Sequence, residues 1–369
     1  MRISNIAVGF MTMSGAMNVL AAAPEVEIGG EYQVNATYSN DGLNNPNEVK
    51  RSELNLKGAN VALRGKWSDQ ITWNVLYKVK EGELSRFWLT NKVNDTLDVS
   101  VGRQKIKTYG LHRKLASPVF TPVTAAYLAN NPLTDKTALD ITYKMAGTLS
   151  LQLTEDYNKC TSTTAANPTT GTISTTNNCV SWNTSGVQKQ PAIAFEWYGA
   201  FGEFSPLVQY SVYDMGKSNS VSVGVRFKTD VIDSYVDYTL DTRVNKGGML
   251  TTGKYEEQKN TYNGIVAYAE YKTGMLTPFV HLSSLKTEPF EASTATAASK
   301  ITAESNTAGS LNKNEMTLAL GTHFDNWGAY YRPFVNVSMM SGSFVDPNDA
   351  TKKKDFSKTD LVAGLIGKF

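Results

Sequence analysis

The chain has 369 residues, with 36 basic against 34 acidic side chains and a formal charge of +2. That balance excludes a nucleic-acid or polyanion binder that works through bulk charge. A mean hydropathy of −0.30 fits a soluble protein or a barrel with a polar lumen equally well, so the alternation of side chains has to decide.

Residues 1–22 join Arg2, an apolar run from Ile6 to Leu20 and the small residues Ala21 and Ala22, which is the form of a secretory signal. Pro24 disfavours cleavage after Ala23, so cleavage is expected after Ala21 or Ala22, leaving 23–369 as one domain. That run is broken by Thr12, Ser14, Gly15 and Asn18, and nowhere else do 18 apolar residues follow one another, so no helix is expected to cross a membrane.

The mature part opens with a period of two. Ile28, Gly30, Tyr32, Val34, Ala36 and Tyr38 alternate with Glu27, Gly29, Glu31, Gln33, Asn35 and Thr37, which predicts a strand. A polar loop, 40–50, leads to a hairpin of 52–66 and 70–80 around Trp67-Ser68-Asp69, with a phase shift near Gly58-Ala59 that reads as a bulge. Strands follow at 85–91 and 96–106.

Between Lys107 and Thr137 the alternation stops. The segment holds Gly110, Pro118, Pro122 and Pro132, is too long for a turn and is partly apolar, as functional loops are. Strands resume at 138–146 and 148–157. A Thr/Asn/Ser-rich loop, 158–190, carries Cys160 and Cys179, which in an exported protein are expected to form a disulfide rather than a metal pair.

The remaining strands are read at 191–200, 204–214, 219–228, 231–241, 261–271, 276–286, 315–325, 329–341 and 357–369, with loops at 242–260, 287–314 and 342–356. In the last strand Leu361, Ala363, Leu365, Gly367 and Phe369 share one face. The count is sixteen, and every second connection is short. Trp67, Phe201, Phe204, Phe324, Trp327 and Phe369 gather at the short-turn side. Sorted loops and a girdle of aromatics predict an all-β fold, a 16-stranded antiparallel transmembrane β-barrel with long outer loops and short periplasmic turns.

No phosphate-cradling loop, nucleophile elbow or zinc helix occurs, so no enzyme is expected. His112, His281 and His323 stand far apart, and neither a metal site nor a cofactor is expected. Strand phase assigns Lys78, Arg86, Lys144, Glu196, Arg226, Glu315 and Arg332 to a pore wall. Near the long loop the charge is unbalanced: Arg103, Lys105, Lys107, His112, Arg113 and Lys114 against Asp135 and Asp140. These eight form a candidate constriction. Two readings stand beside each other there: an ion filter, or basic side chains that anchor the loop to wall carboxylates or meet lipopolysaccharide phosphates. Arg103 and Lys105 fall in phase with the outward set.

With its terminal Phe369 and the run Val101-Gly102-Arg103-Gln104-Lys105-Ile106-Lys107-Thr108-Tyr109-Gly110, the chain resembles the sixteen-stranded trimeric porins of Gram-negative outer membranes, general and phosphate-selective. Phe369 looks like the C-terminal assembly signal of such barrels. The resemblance implies a third loop, 107–137, folded into the pore, a homotrimer among outer-membrane lipid and lipopolysaccharide, and passive diffusion of small hydrophilic solutes and ions with a mild anion preference. The 81–84 connection is shorter than the subunit-latching loop of enteric porins. An adhesive or structural outer-membrane barrel without an open pore is the alternative.

Overall fold

The computed structural model describes residues 25–41, 50–108, 110–115, 135–156, 161–166, 173–178, 190–213, 218–249, 255–289, 314–327, 330–346 and 349–368. The expected signal segment, Cys160, Cys179 and Phe369 lie outside them.

Sixteen antiparallel strands close into a barrel. They are β1 (Glu25–Asp41), β2 (Lys50–Lys66), β3 (Ile71–Lys78), β4 (Glu83–Lys92), β5 (Leu97–Lys105), β6 (Asp135–Met145), β7 (Gly147–Asp156), β10 (Gln190–Gly199), β11 (Phe204–Tyr213), β12 (Ser218–Lys228), β13 (Ile232–Met249), β14 (Tyr255–Tyr271), β15 (Leu276–Pro289), β16 (Asn314–Phe324), β17 (Tyr331–Asp346) and β18 (Asp349–Lys368). Between β7 and β10 the chain makes a separate two-stranded hairpin, β8 (Thr161–Ala166) with β9 (Ile173–Asn178). Closure runs through β1, which pairs β2 along one edge and β18 along the other, from Glu31 opposite Lys368 to Asp41 opposite Lys358.

The barrel is apolar outside and polar inside. Leu54 is 78% exposed while Gln33 is fully buried, the reverse of a soluble sheet. In β18, Leu361 faces outward and Val362 and Ile366 pack inward against Phe334. The bulge sits at Lys57, between the pairs Gln33–Gly58 and Val34–Leu56, one residue from its expected place.

Side chains close the short turns. Asn94 accepts from the backbone of Thr96 and Leu97, Thr229 from Ile232, and Thr273 from Leu276, so the turns are held without long loops. Gly147 makes the tightest one at φ +111°, where a Cβ would lie 2.1 Å from the Tyr198 carbonyl oxygen.

Aromatic rings lie flat over glycines directly across the ladder. Trp73 covers Gly65 and Tyr32 covers Gly367 outside; Phe279 covers Gly321 and Phe334 covers Gly364 inside.

Three segments read as loops are partly strand. β13 and β14 extend to Met249 and from Tyr255, β17 and β18 to Asp346 and from Asp349, and the hairpin of β8 and β9 occupies part of 158–190. Alternation reports an apolar face, whereas these stretches are held by ladder hydrogen bonds between polar residues, which carry no hydropathy signal. The long strands are β1, β2, β13, β14, β15, β17 and β18, with 14 to 20 residues each, against 8 to 11 for β3 to β7, β10 to β12 and β16.

Candidate functional site

After β5 the chain turns onto the inner wall. Ile106 is buried against Ala138, Ala192, Ala194 and Tyr213, and small alanines on β6 and β10 give it room. The Lys107 backbone donates to Gln152 on β7 at 3.1 Å. One short helix follows, α1 (Gly110–Leu115).

Wall side chains satisfy two of the backbone donors of its first turn, which have no partner within a helix. Gly110 N donates to Gln209 Oε1 at 2.8 Å, and His112 N to Asp237 Oδ2 at 2.6 Å. Gly110 stands at φ +76°, and a Cβ there would meet the Asp237 carboxyl at 2.9 Å, so glycine lets the helix approach β13. Leu111 is fully buried; its Cδ1 lies 2.9 Å from where a Cβ on Gly224 of β12 would stand. At the other end Lys105 Nζ donates to the Arg113 carbonyl. The polar residues that receive α1 are the buried set of β11 and β13, while Val208, Tyr210, Val236 and Tyr238 on the opposite faces are exposed. The helix is therefore inside the barrel.

The loop lysines pair with wall carboxylates. Lys107 Nζ is 2.6 Å from Asp140 Oδ2, and Lys114 Nζ is 2.5 Å from Glu196 Oε1 and 4.6 Å from the Tyr198 ring centroid. Gln209 donates to the other Glu196 oxygen at 2.6 Å, joining the lysine pair to the helix cap. Arg113 bonds Thr108 Oγ1 at 2.9 Å. His112 shares a 2.7 Å hydrogen bond with the Tyr235 hydroxyl. Burial, with His281 and Lys105 nearby, pushes His112 down to about 3, so its ring is neutral.

Of the eight constriction candidates, Lys105, Lys107, His112, Arg113, Lys114 and Asp140 are thus brought to one stretch of inner wall. Arg103 does not join them. It is exposed on the outward phase with Val99 and Val101 and donates to the Leu84 carbonyl at 3.3 Å. Asp135 lies opposite Lys105 in the ladder.

The wall candidates are spread round the barrel and mostly paired. Lys78 meets Glu83 at 3.3 Å, Lys144 meets Asp98 at 2.8 Å, Arg226 forks onto Asp233, and Arg332 meets Asp325 at 2.6 Å. Arg86 stands opposite Leu76 on β3, and Glu315 is buried on the inward phase of β16.

Exposure differs round the wall. Inward residues of β11 to β17, such as Gln209, Thr239, Thr277, Ala319 and Asn336, are nearly fully buried. On β3 to β6 the inward side chains divide: Gln104, Ala138 and Asp140 are buried, while Lys78 and Lys144 stay 33% and 39% exposed, much as Arg332 does on β17 at 34%.

Gln209, Tyr235 and Leu111 escaped the sequence reading. Their signal is a run of small inward residues on neighbouring strands (Ala192, Ala194, Ser220, Ser222, Gly224), where an open lumen would carry long polar side chains.

No family model matches the chain, and no curated protein matches it in sequence. Solved structures do match in fold. An anion-selective porin from Comamonas acidovorans is 11% identical at a TM-score of 0.61, over 94% of this chain and 100% of that one. OmpT, an outer-membrane protein of Vibrio cholerae, is 9% identical at 0.58, over 96% and 100%. OmpF of Salmonella typhi, in complex with daunomycin, is 12% identical at 0.55, over 93% and 97%. The chain, with its sixteen strands, shares the barrel fold of these proteins.

Proposed function

We propose that the chain is an outer-membrane porin, a passive channel for small hydrophilic solutes and ions. The observation that carries this reading is a set of charged inner-wall side chains that stay partly open to water, Lys78 with Glu83 and Lys144 with Asp98. A sixteen-stranded barrel is wide enough for an aqueous lumen, and segment 107–137 narrows it. Charge preference is weak and on the anion side, because Lys107 and Lys114 are each neutralised by a wall carboxylate. The outward apolar band meets lipid and lipopolysaccharide, and an N-terminal signal exports the chain. OmpT of Vibrio cholerae occurs in a trimer form, and we read this chain as a homotrimer too.

A closed structural or adhesive barrel is the second reading, favoured by the burial of the inward faces of β11 to β17. Planar-bilayer recording of the purified protein separates the two. Stepwise ohmic conductance supports the porin; sealed bilayers containing folded protein refute it.

A further inference from the structure

Several inward rings are spent on their neighbours. Tyr235, Tyr268, Phe279, His323 and Phe334 follow one another in contact from β13 to β17, and Tyr198 faces the Lys114 ammonium. Trp88 on β4 differs. It lies on the inward phase with Arg86 and Thr90, opposite in phase to the outward Phe87, and is part-exposed. Among the described residues no ring or cation lies against its indole, and its Nε1 has no hydrogen-bond partner.

Room beside the indole comes from Gly102, directly across the ladder on β5 and itself part-exposed. Its φ of +134°, with a Cβ position 2.2 Å from the Phe87 carbonyl oxygen, excludes a side chain there, so bare backbone flanks the ring. On the next strand Ile106 packs on Ala138 and bounds the gap. Two residues along the same face, the part-exposed Thr90 and Ser100 hydroxyls share a 2.8 Å hydrogen bond. Whichever donates, the pair keeps one proton and acceptor lone pairs for a third group. Asn74 stands opposite Trp88 on β3, part-exposed, and its amide has no partner among the described residues.

We propose that Trp88, with Asn74, Thr90 and Ser100 around it, is a subsite for the ring of a neutral pyranose sugar. An aromatic face carries negative potential and attracts the weakly positive C–H bonds of a sugar ring laid flat on it. The hydroxyl pair and the amide supply both donors and acceptors at the rim, as a ring of sugar hydroxyls requires. The cations of this wall are spent: Lys78, Lys107 and Lys144 are each paired with a carboxylate, and Arg86 is engaged as well. Neutral groups are left to recognise a neutral ligand. The subsite names a solute class for the proposed channel and rests on that reading for access. Its binding is read without a bilayer, so a chain that conducts without binding sinks the subsite alone.

Saturation-transfer NMR of the full, detergent-folded chain tests it with methyl α-glucopyranoside, sorbitol and sodium benzoate. Saturable transfer to the ring C–H protons of the glucoside is expected. It should exceed transfer to sorbitol, which has the hydroxyls without the ring, and to benzoate, which is flat but charged. This comparison uses the wild type alone and depends on no variant folding. Trp88→Leu should weaken glucoside binding at least about tenfold and Trp88→Phe less, with the outward Trp197→Phe unchanged. No saturable binding, binding of sorbitol or benzoate as tight as the glucoside, or unchanged affinity in Trp88→Leu would overturn the subsite.

Discussion

Leu111 occupies the space that a side chain on Gly224 would need, its Cδ1 being 2.9 Å from the position of the missing Cβ. One glycine on β12 thus forms the seat of α1. Leu111→Asp should unseat the helix while leaving the ladder intact, since Leu111 lies on α1, whereas a side chain on Gly224 would also press on the Val236 carbonyl 2.9 Å from its Cβ. Single-channel conductance should rise with barrel assembly unchanged. Conductance equal to wild type would mean that α1 does not bound the path.

The Lys114–Glu196 pair should set what remains of the charge preference. Removing the lysine exposes a carboxylate to passing ions. One unpaired charge about 4 Å from an ion is worth about 1 kcal/mol in water, about fivefold in permeability ratio. Lys114→Ala should move the reversal potential in a potassium chloride gradient toward cations, and Glu196→Gln toward anions. Both shifts should fade toward 1 M salt, where the Debye length is about 3 Å. Arg113→Glu with Lys114→Glu should give the largest cation shift; no movement in any of the three places these residues away from the constriction.

Inside the wall, Phe279 lies across Gly321, with a ring carbon 2.5 Å from the position of a Cβ there. Gly321→Val forces the ring out of its place, and such overpacking costs about 1–3 kcal/mol. The urea midpoint of the folded barrel should fall, and Phe279→Ala in the same chain should recover part of the loss. Additive losses in the double variant would show that the two residues do not compete for space.

Cys160 and Cys179 should be bridged. On the chain-entropy estimate, closing a loop of this length restricts the unfolded chain by about 3 kcal/mol. Thiol labelling of denatured, unreduced protein should mark neither residue, and labelling of both refutes the bridge.

Deleting Phe369 should lower the amount of assembled barrel in the outer membrane without altering synthesis. Unchanged assembly would remove it as an assembly signal.

The barrel was legible because one physical fact, lipid outside and water inside, imprints a period of two on every membrane-spanning stretch. Val99, Val101, Leu361 and Leu365 could be assigned a face from that alone. The outer ladders were not legible, because Thr, Ser, Lys and Asp pair there with water on both sides. The constriction was half legible. Its basic residues were visible, but their partners Asp140 and Glu196 lie 33 and 82 residues away from Lys107 and Lys114, and only register brings them together. His112 and His281 read as standing far apart, since His112 belongs to a segment with no periodicity, yet their rings meet at 5.3 Å.

The unequal strand lengths have a consequence for approach from outside. β13 has 18 residues and β14 has 17, about 60 Å of chain at about 3.3 Å per residue. At a tilt of about 40° they climb about 45 Å, against an apolar band of about 25 Å. The strands from β3 to β7 and β10 to β12 end far lower. Among the described strands the high side therefore stands about 20 Å clear of such a band, more than two Debye lengths at physiological salt, so charges near the tips of β13 and β14 are screened from those at the band's edge.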